Sequence, residues 1–231
     1  MLNFKTSVPG LDGPISEPRN VRDMIFLAAS HWATRTAVHD SDTTLTYEAL
    51  TRITASTVVI ARRHGLQSGD KVGVAIDRSA KSVAIFLSIM AAGLTAVVLP
   101  IKPMAQLRQD VQELQLSLLI ADHASPLAAL GPPVVELQEF YSSIENAVLF
   151  EMPETAYLTL TSGSTGRPKA VAVSHTNVVH YAKAIIERLG IQQGDAPRFA
   201  HVTTLAADLG HTAIFPMVLV GGSICVASDH T

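Results

Sequence analysis

Cysteine is nearly absent from this sequence: Cys225 stands alone among 231 residues. A lone cysteine excludes an internal disulfide, and a reducing cytoplasm is the expected setting. Within "SICVAS" it reads as a strand residue, expected to be a buried structural thiol rather than a nucleophile. Charge is scarce as well, at 16% of residues with a net of −3. That leaves no basic footprint for nucleic acid. Residues 1–20 lack an apolar core behind a basic end, so no signal peptide is read there. Their Gly, Pro and Ser content predicts a surface segment. The nine histidines contain no H-x-x-x-H pair and no Cys/His cluster with zinc spacing, so no metal site is read. His175, His201 and His211 are expected to pack or hydrogen-bond in the ordinary way.

Apolar residues are plentiful, at 48%. Two runs approach the length of a membrane span, about 20 residues. In residues 82–101, "SVAIFLSIMAAGLTAVVLPI", Gly93 interrupts and Pro100 closes the run. A helix–turn–strand unit is the better reading. The same holds for "LGHTAIFPMVLVGGSICVAS", which Gly221 and Gly222 split.

Helix starts are marked by short polar residues. Asn20 precedes a helix with Val21, Met24, Ile25, Ala28 and Trp32 on one face. Thr46 precedes another, with Leu50, Ile53, Thr57 and Ile60 inward and Gly65 at its C-terminal end. Ser79 opens a third. Ser174 opens a fourth, with Val178, Ala182, Ile185 and Leu189 inward and Gly190 at the stop. Between them lie short apolar strands: "KVGVAI", "TAVVL", "LSLLIAD", "PVVEL", "AYLTLTS", "AVAVS", "FAHVTT" and "SICVA". Continuous Val/Ile/Leu runs predict strands covered on both faces. Alternation with helices predicts an α/β fold with a mainly parallel sheet. Residues 123–154, with Gly131-Pro132-Pro133, form the expected connector. The organisation read is a surface segment at 1–20, a first α/β subdomain at 21–154 and a further, incomplete one at 155–231.

One loop carries chemistry. In "LTLTSGSTGRPKAVAVSH", Gly163 and Gly166 remove Cβ atoms so that backbone N–H groups can close around an anion. Thr161, Ser162, Ser164 and Thr165 add hydroxyls, and Lys169 adds a charge. At about 4 Å from a phosphate oxygen near the surface, such a charge pair is worth roughly 4 kcal/mol before desolvation. Several donors together suit a triphosphate or pyrophosphate. The spacing G-x-x-G-x-x-K, followed by a strand, is not the Walker pattern, which opens into a helix. Pro168 opposes direct helix entry.

The stretch "YLTLTSGSTGRPKAVAVSHTNV" closely resembles the phosphate-loop signature of the adenylate-forming superfamily, which includes acyl-CoA ligases, luciferases and nonribosomal peptide synthetase adenylation domains. "LTYEAL", "IMAAGLTAVVLPIKP" and "TLAADLGHTAIFPMVLVGG" resemble further signatures in the family's order. Ala170 departs from the usual Gly after Pro-Lys, and Lys102 from a usual acidic or amide residue. The resemblance implies layered αβα architecture with mainly parallel sheets, forming part of the N-terminal domain of such an enzyme. It implies that a carboxylate attacks Mg-ATP at the α-phosphate, giving an acyl-adenylate and pyrophosphate. ATP and Mg2+ are the implied cofactors. Thr161, Ser162, Gly163, Ser164, Thr165, Gly166 and Lys169 are carried over as the phosphate grip, with Arg167 solvent-exposed.

Asp208 aligns with the carboxylate that binds the α-amino group in amino-acid-activating members. Its apolar neighbourhood would make a lone buried carboxylate costly, which a substrate ammonium would relieve. On local grounds alone, Asp208 reads as a helix cap. Leu209 and Thr212 would line the side-chain pocket beside it. The family's later motifs, including its catalytic lysine, do not occur, so no certain catalytic residue is named and a full cycle by this chain alone is not expected. A truncation, a split-gene product completed by a second chain, and a natural remnant all remain open. The implied partners are an amino-acid or other carboxylate substrate and a carrier-protein domain with phosphopantetheine; neither nucleic acid nor membrane is expected. The alternatives are a fatty- or aryl-acid CoA ligase fragment and a noncatalytic interaction module.

Overall fold

The computed structural model describes residues 17–100, 103–123, 127–141, 147–161, 169–192 and 194–227. Helix α1 (Val21–Trp32) starts where the Asn20 side chain accepts from the Asp23 N–H. Strands β1 (Thr36–His39) and β2 (Thr44–Thr46) lead into α2 (Tyr47–Arg63), capped by Thr46. Strand β3 (Lys71–Ala75) is followed by α3 (Ala80–Ala92), which opens with a reciprocal Ser79–Ser82 capping box, and by β4 (Thr95–Val98). Helix α4 (Met104–Leu114), β5 (Leu118–Ala121) and β6 (Val134–Glu136) follow. Next come β7 (Thr155–Thr161), β8 (Lys169–Ser174), α5 (His175–Leu189), β9 (Arg198–His201), α6 (Asp208–Val220) and β10 (Ser223–Val226).

The strands form two sheets, ordered β6-β5-β3-β4-β7-β8 and β2-β1-β10-β9. Pairing is parallel except for β7 with β8 and β1 with β2. The predicted α/β class with mainly parallel sheets is therefore observed.

Residue alternation along the larger sheet divides the interior. Val72, Val74, Ala96, Val98, Leu118 and Ile120 face the main core, together with α1, α2, α3 and α6. Val97, Leu99, Leu119 and Ala121 face a second, smaller core closed by Leu107, Val111 and Leu114 of α4. Double coverage is why β4 and β5 are buried at every residue and, apart from Thr95, read as apolar runs. The same reading fails at β8, whose first four residues are exposed at the sheet edge.

Both span-like runs are helix–turn–strand units. Among the described residues no helix is long and apolar enough to cross a membrane. Gly93 ends α3 at φ +96°, and a Cβ there would sit 2.6 Å from the Glu151 carbonyl oxygen.

Arg22 was not foreseen as a core residue, yet it is only 2% exposed. Its guanidinium donates to the carbonyls of Ala91, Ala92 and Phe150 at 2.6, 3.0 and 2.7 Å. These include carbonyls at the C-terminal end of α3, where a cation is favoured. Burial lowers its pKa to about 10, so it stays charged at neutral pH.

Two burial expectations are corrected. Cys225 is exposed, because Ile224 and Val226 take the inward face and strand alternation turns Cys225 outward. Leu189, expected inward, is 60% exposed because the last turn of α5 runs beyond the core.

Candidate functional site

A cavity of about 430 Å³ opens between α5 and α6, against the β7–β8 strand pair. Cross-strand neighbours Tyr157 and Val173 form its floor. Helix α5 contributes Asn177, Val178 and Tyr181, which share one helical face. The first turns of α6 contribute Asp208, Leu209, His211 and Thr212, with Phe215 a turn further on. The three substrate-site residues read from the sequence thus come together. Tyr157, Asn177, Tyr181 and Phe215 were missed as lining residues. The spacing of 177, 178 and 181 was legible as a helix face, but nothing local showed that it meets α6.

Asp208 is the first residue of α6 and makes no cap hydrogen bond; Ala207 occupies the N-cap position. The capping alternative is therefore corrected. So is the expectation of burial, since the Asp208 side chain is 62% exposed at the cavity rim. It stands in the first turn of α6, at the N-terminal end of the helix. Leu209 is 73% exposed. The Tyr181 hydroxyl donates to Thr212 Oγ1 at 3.2 Å and so joins α5 to α6 across the cavity.

An aromatic group supports this floor. The His211 ring stacks on Phe86 with centroids 4.9 Å apart and meets Tyr157 edge-on at 4.8 Å. Phe215 stacks with Tyr157 at 6.0 Å. Burial raises the Tyr157 pKa, and the Asp208 and Tyr181 charges add to the rise, so the phenol stays neutral. Burial also lowers the pKa of His211, against the opposing pull of the Leu205 carbonyl and Asp208.

His175 and His201 behave as expected of packing residues. His175 Nδ1 accepts from the Val21 N–H at 3.4 Å, and His201 Nδ1 donates to the Gly210 carbonyl at 3.0 Å. Burial is the main cause that holds each near a pKa of about 4.

Of the anion-gripping residues, Thr161 and Lys169 are the facing ends of β7 and β8, and Thr161 Oγ1 donates to the Lys169 carbonyl at 3.3 Å. Both are exposed. Ser162, Gly163, Ser164, Thr165, Gly166, Arg167 and Pro168 lie outside the described residues, as does Lys102. Ala170 is exposed and faces Leu160 across the strand pair. Among the described residues no group of three or more His, Cys, Asp or Glu side chains could hold a metal ion.

The chain resembles known proteins along nearly all of its length. It is 25% identical over 237 residues to the nonribosomal peptide synthetase ftmPS of Neosartorya fischeri, covering 94% of this chain and 10% of that protein. It is 29% identical over 233 residues to syringomycin synthase SyrB1 of Pseudomonas syringae pv. syringae, covering 98% of this chain and 38% of that one. The chain thus spans well under half the length of these relatives. Its fold matches the Klebsiella oxytoca NpsA N-terminal subdomain, solved in complex with 3-hydroxyanthranilyl-AMSN. The TM-score is 0.77 at 19% identity, over 93% of this chain and 55% of that one. The family model for AMP-binding enzymes matches residues 25–231, and the chain belongs to that family.

Proposed function

We propose that this chain serves an enzyme that activates a carboxylic acid, most readily an amino acid, as its acyl-adenylate, using ATP and releasing pyrophosphate. Family membership supports the general chemistry. One observation carries the amino-acid reading: a largely apolar cavity with a single carboxylate, Asp208, at its rim. A side chain would enter the cavity while its α-ammonium pairs with Asp208. Closure over the substrate would remove water and strengthen that pair. The peptide synthetase relatives support the same reading.

ATP would lie at the open end of the β7–β8 pair. There Thr161 and Lys169 bracket Ser162, Gly163, Ser164, Thr165 and Gly166, the proposed phosphate grip. Bound Mg-ATP supplies the electrophilic phosphorus and a leaving pyrophosphate. This chain's part is to hold the phosphates and orient the acid, so that reacting atoms meet at about 3–3.5 Å. The other proposed partners are a phosphopantetheine-bearing carrier domain, which would accept the acyl group, and a second chain, where one completes the domain.

The test is ATP–pyrophosphate exchange by the full-length protein. Exchange that depends on one or a few amino acids is expected, together with a loss of about tenfold or more on Lys169→Ala. No exchange with any standard amino acid, or exchange driven equally well by fatty or aryl acids, would overturn the amino-acid reading. The NpsA complex carries an aryl group, which makes aryl acids the comparison to include.

A further inference from the structure

His211 was read from the sequence as a packing residue, and its stacking on Phe86 agrees. Packing leaves one of its atoms unexplained. His211 Nε2 lies 2.9 Å from the Leu205 carbonyl oxygen. A carbonyl can only accept, so Nε2 carries the hydrogen. Burial keeps the ring neutral. Nδ1 is then a bare lone pair, buried and without a hydrogen-bond partner among the described residues. It stands 3.8 Å from Asp208 Oδ1. The exposed Asp208 carboxylate at the cavity rim and the buried Nδ1 beneath it are therefore two acceptors side by side, with no donor between them among the described residues.

We propose that His211 Nδ1 and the Asp208 carboxylate together form the seat for the substrate's primary ammonium. This rests on the amino-acid reading above and adds a residue to it. An ammonium nitrogen placed about 2.8 Å from each acceptor bridges them with two of its three hydrogens. A hydroxyl has one hydrogen and satisfies only one acceptor. An acid without either group satisfies none. His211 thus makes the site discriminate an amino acid from its α-hydroxy and des-amino analogues more sharply than Asp208 alone would. The Nε2–Leu205 bond does the orienting, because it fixes both the tautomer and the ring plane.

The test measures ATP–pyrophosphate exchange by the full-length protein with its preferred amino acid and with the des-amino analogue. His211→Phe keeps the stack and removes the acceptor. It should raise KM for the amino acid about tenfold or more, with kcat nearly unchanged and little effect on the analogue. His211→Asn places an amide oxygen where Nδ1 stood and should recover most of the loss. His211→Gln places its amide toward Leu205 and should not.

Equal losses for both acids, an unchanged amino-acid KM in His211→Phe, or identical behaviour of the Asn and Gln variants would overturn the proposal. Asn and Gln are the decisive pair if His211→Phe fails to fold. The two levels separate cleanly. A wild-type protein that accepts the des-amino acid as readily as the amino acid overturns the amino-acid reading itself. Discrimination that depends on Asp208 but not on His211 overturns only the part given to His211.

Discussion

Helices α3 and α6 are both 13 residues long and strongly apolar, and both end on a left-handed glycine, Gly93 and Gly221. They differ at the start. Helix α3 opens with the Ser79–Ser82 capping box, and a second acceptor, the Asp40 carboxylate, takes the Ala80 N–H at 2.7 Å. Twelve of its residues are buried. Helix α6 has Ala207 at its N-cap and no side-chain cap. Its first turn exposes Asp208 and Leu209 over the cavity. On the function proposed above, the finished α3 serves as scaffold, whereas α6, uncapped at its positive end, would offer N–H groups and a carboxylate to the substrate. The C-terminal ends are equally constrained, since a Cβ on Gly221 would run into the Trp32 ring and Tyr47 holds the Gly222 carbonyl at 2.8 Å.

The largest effect is expected at the ends the two helices share, from Gly93→Ala. It places a methyl against the Glu151 backbone at positive φ and should cost roughly 3 kcal/mol or more, read as a lower denaturation midpoint. Gly221→Ala should match it, because the two ends are alike; a mild effect at either would break the symmetry.

Acid comes next. His175 and His201 have pKa values near 4 in the folded chain against about 6.5 unfolded. Their stabilisation is full above about pH 6.5 and is lost as pH falls toward 4, because the unfolded chain binds the protons. By pH 5 the loss should be roughly 1–2 kcal/mol for each, visible as a falling melting temperature. Replacing His175 by Gln should flatten that slope. His211 shifts in the same direction.

Smaller effects separate the two helix starts directly. Ser79→Ala should destabilise by about 1 kcal/mol through loss of the capping box. Ala207→Ser should instead stabilise by about 0.5 kcal/mol or more, because α6 lacks a cap. A stabilised Ala207→Ser protein with weakened amino-acid binding would show that the open end is kept for the ligand.

The sequence was most legible where structure is decided locally. Asn20, Thr46, Ser79 and Ser174 each accept a hydrogen bond from a backbone N–H in the first helical turn, so a residue and its near neighbours suffice to place four helix starts. Strands β4 and β5 were legible because burial on both faces leaves an apolar run broken only by Thr95. Strands β1 and β2 were not read, being three or four residues long and rich in Thr. Helix α4 was also missed, although Leu107, Val111 and Leu114 follow a helical period. Its polar remainder hid a single buried stripe.

In the site, Asp208, Leu209 and Thr212 could be placed because they lie within one helical turn and matched a family register. Tyr157 and Tyr181 could not, since their meeting with α6 depends on tertiary packing across more than thirty residues. The orphaned Nδ1 of His211 is likewise invisible in sequence, because only the Leu205 contact fixes its tautomer.

The most direct test of the central claim is amino-acid-dependent ATP–pyrophosphate exchange by Asp208→Ala in the full-length protein, beside the same reaction with the des-amino acid. The kcat/KM for the amino acid should fall by about 100-fold, while the value for the des-amino acid stays nearly constant. Equal rates for wild type and variant with the amino acid, or an equal fall for both acids, would contradict it.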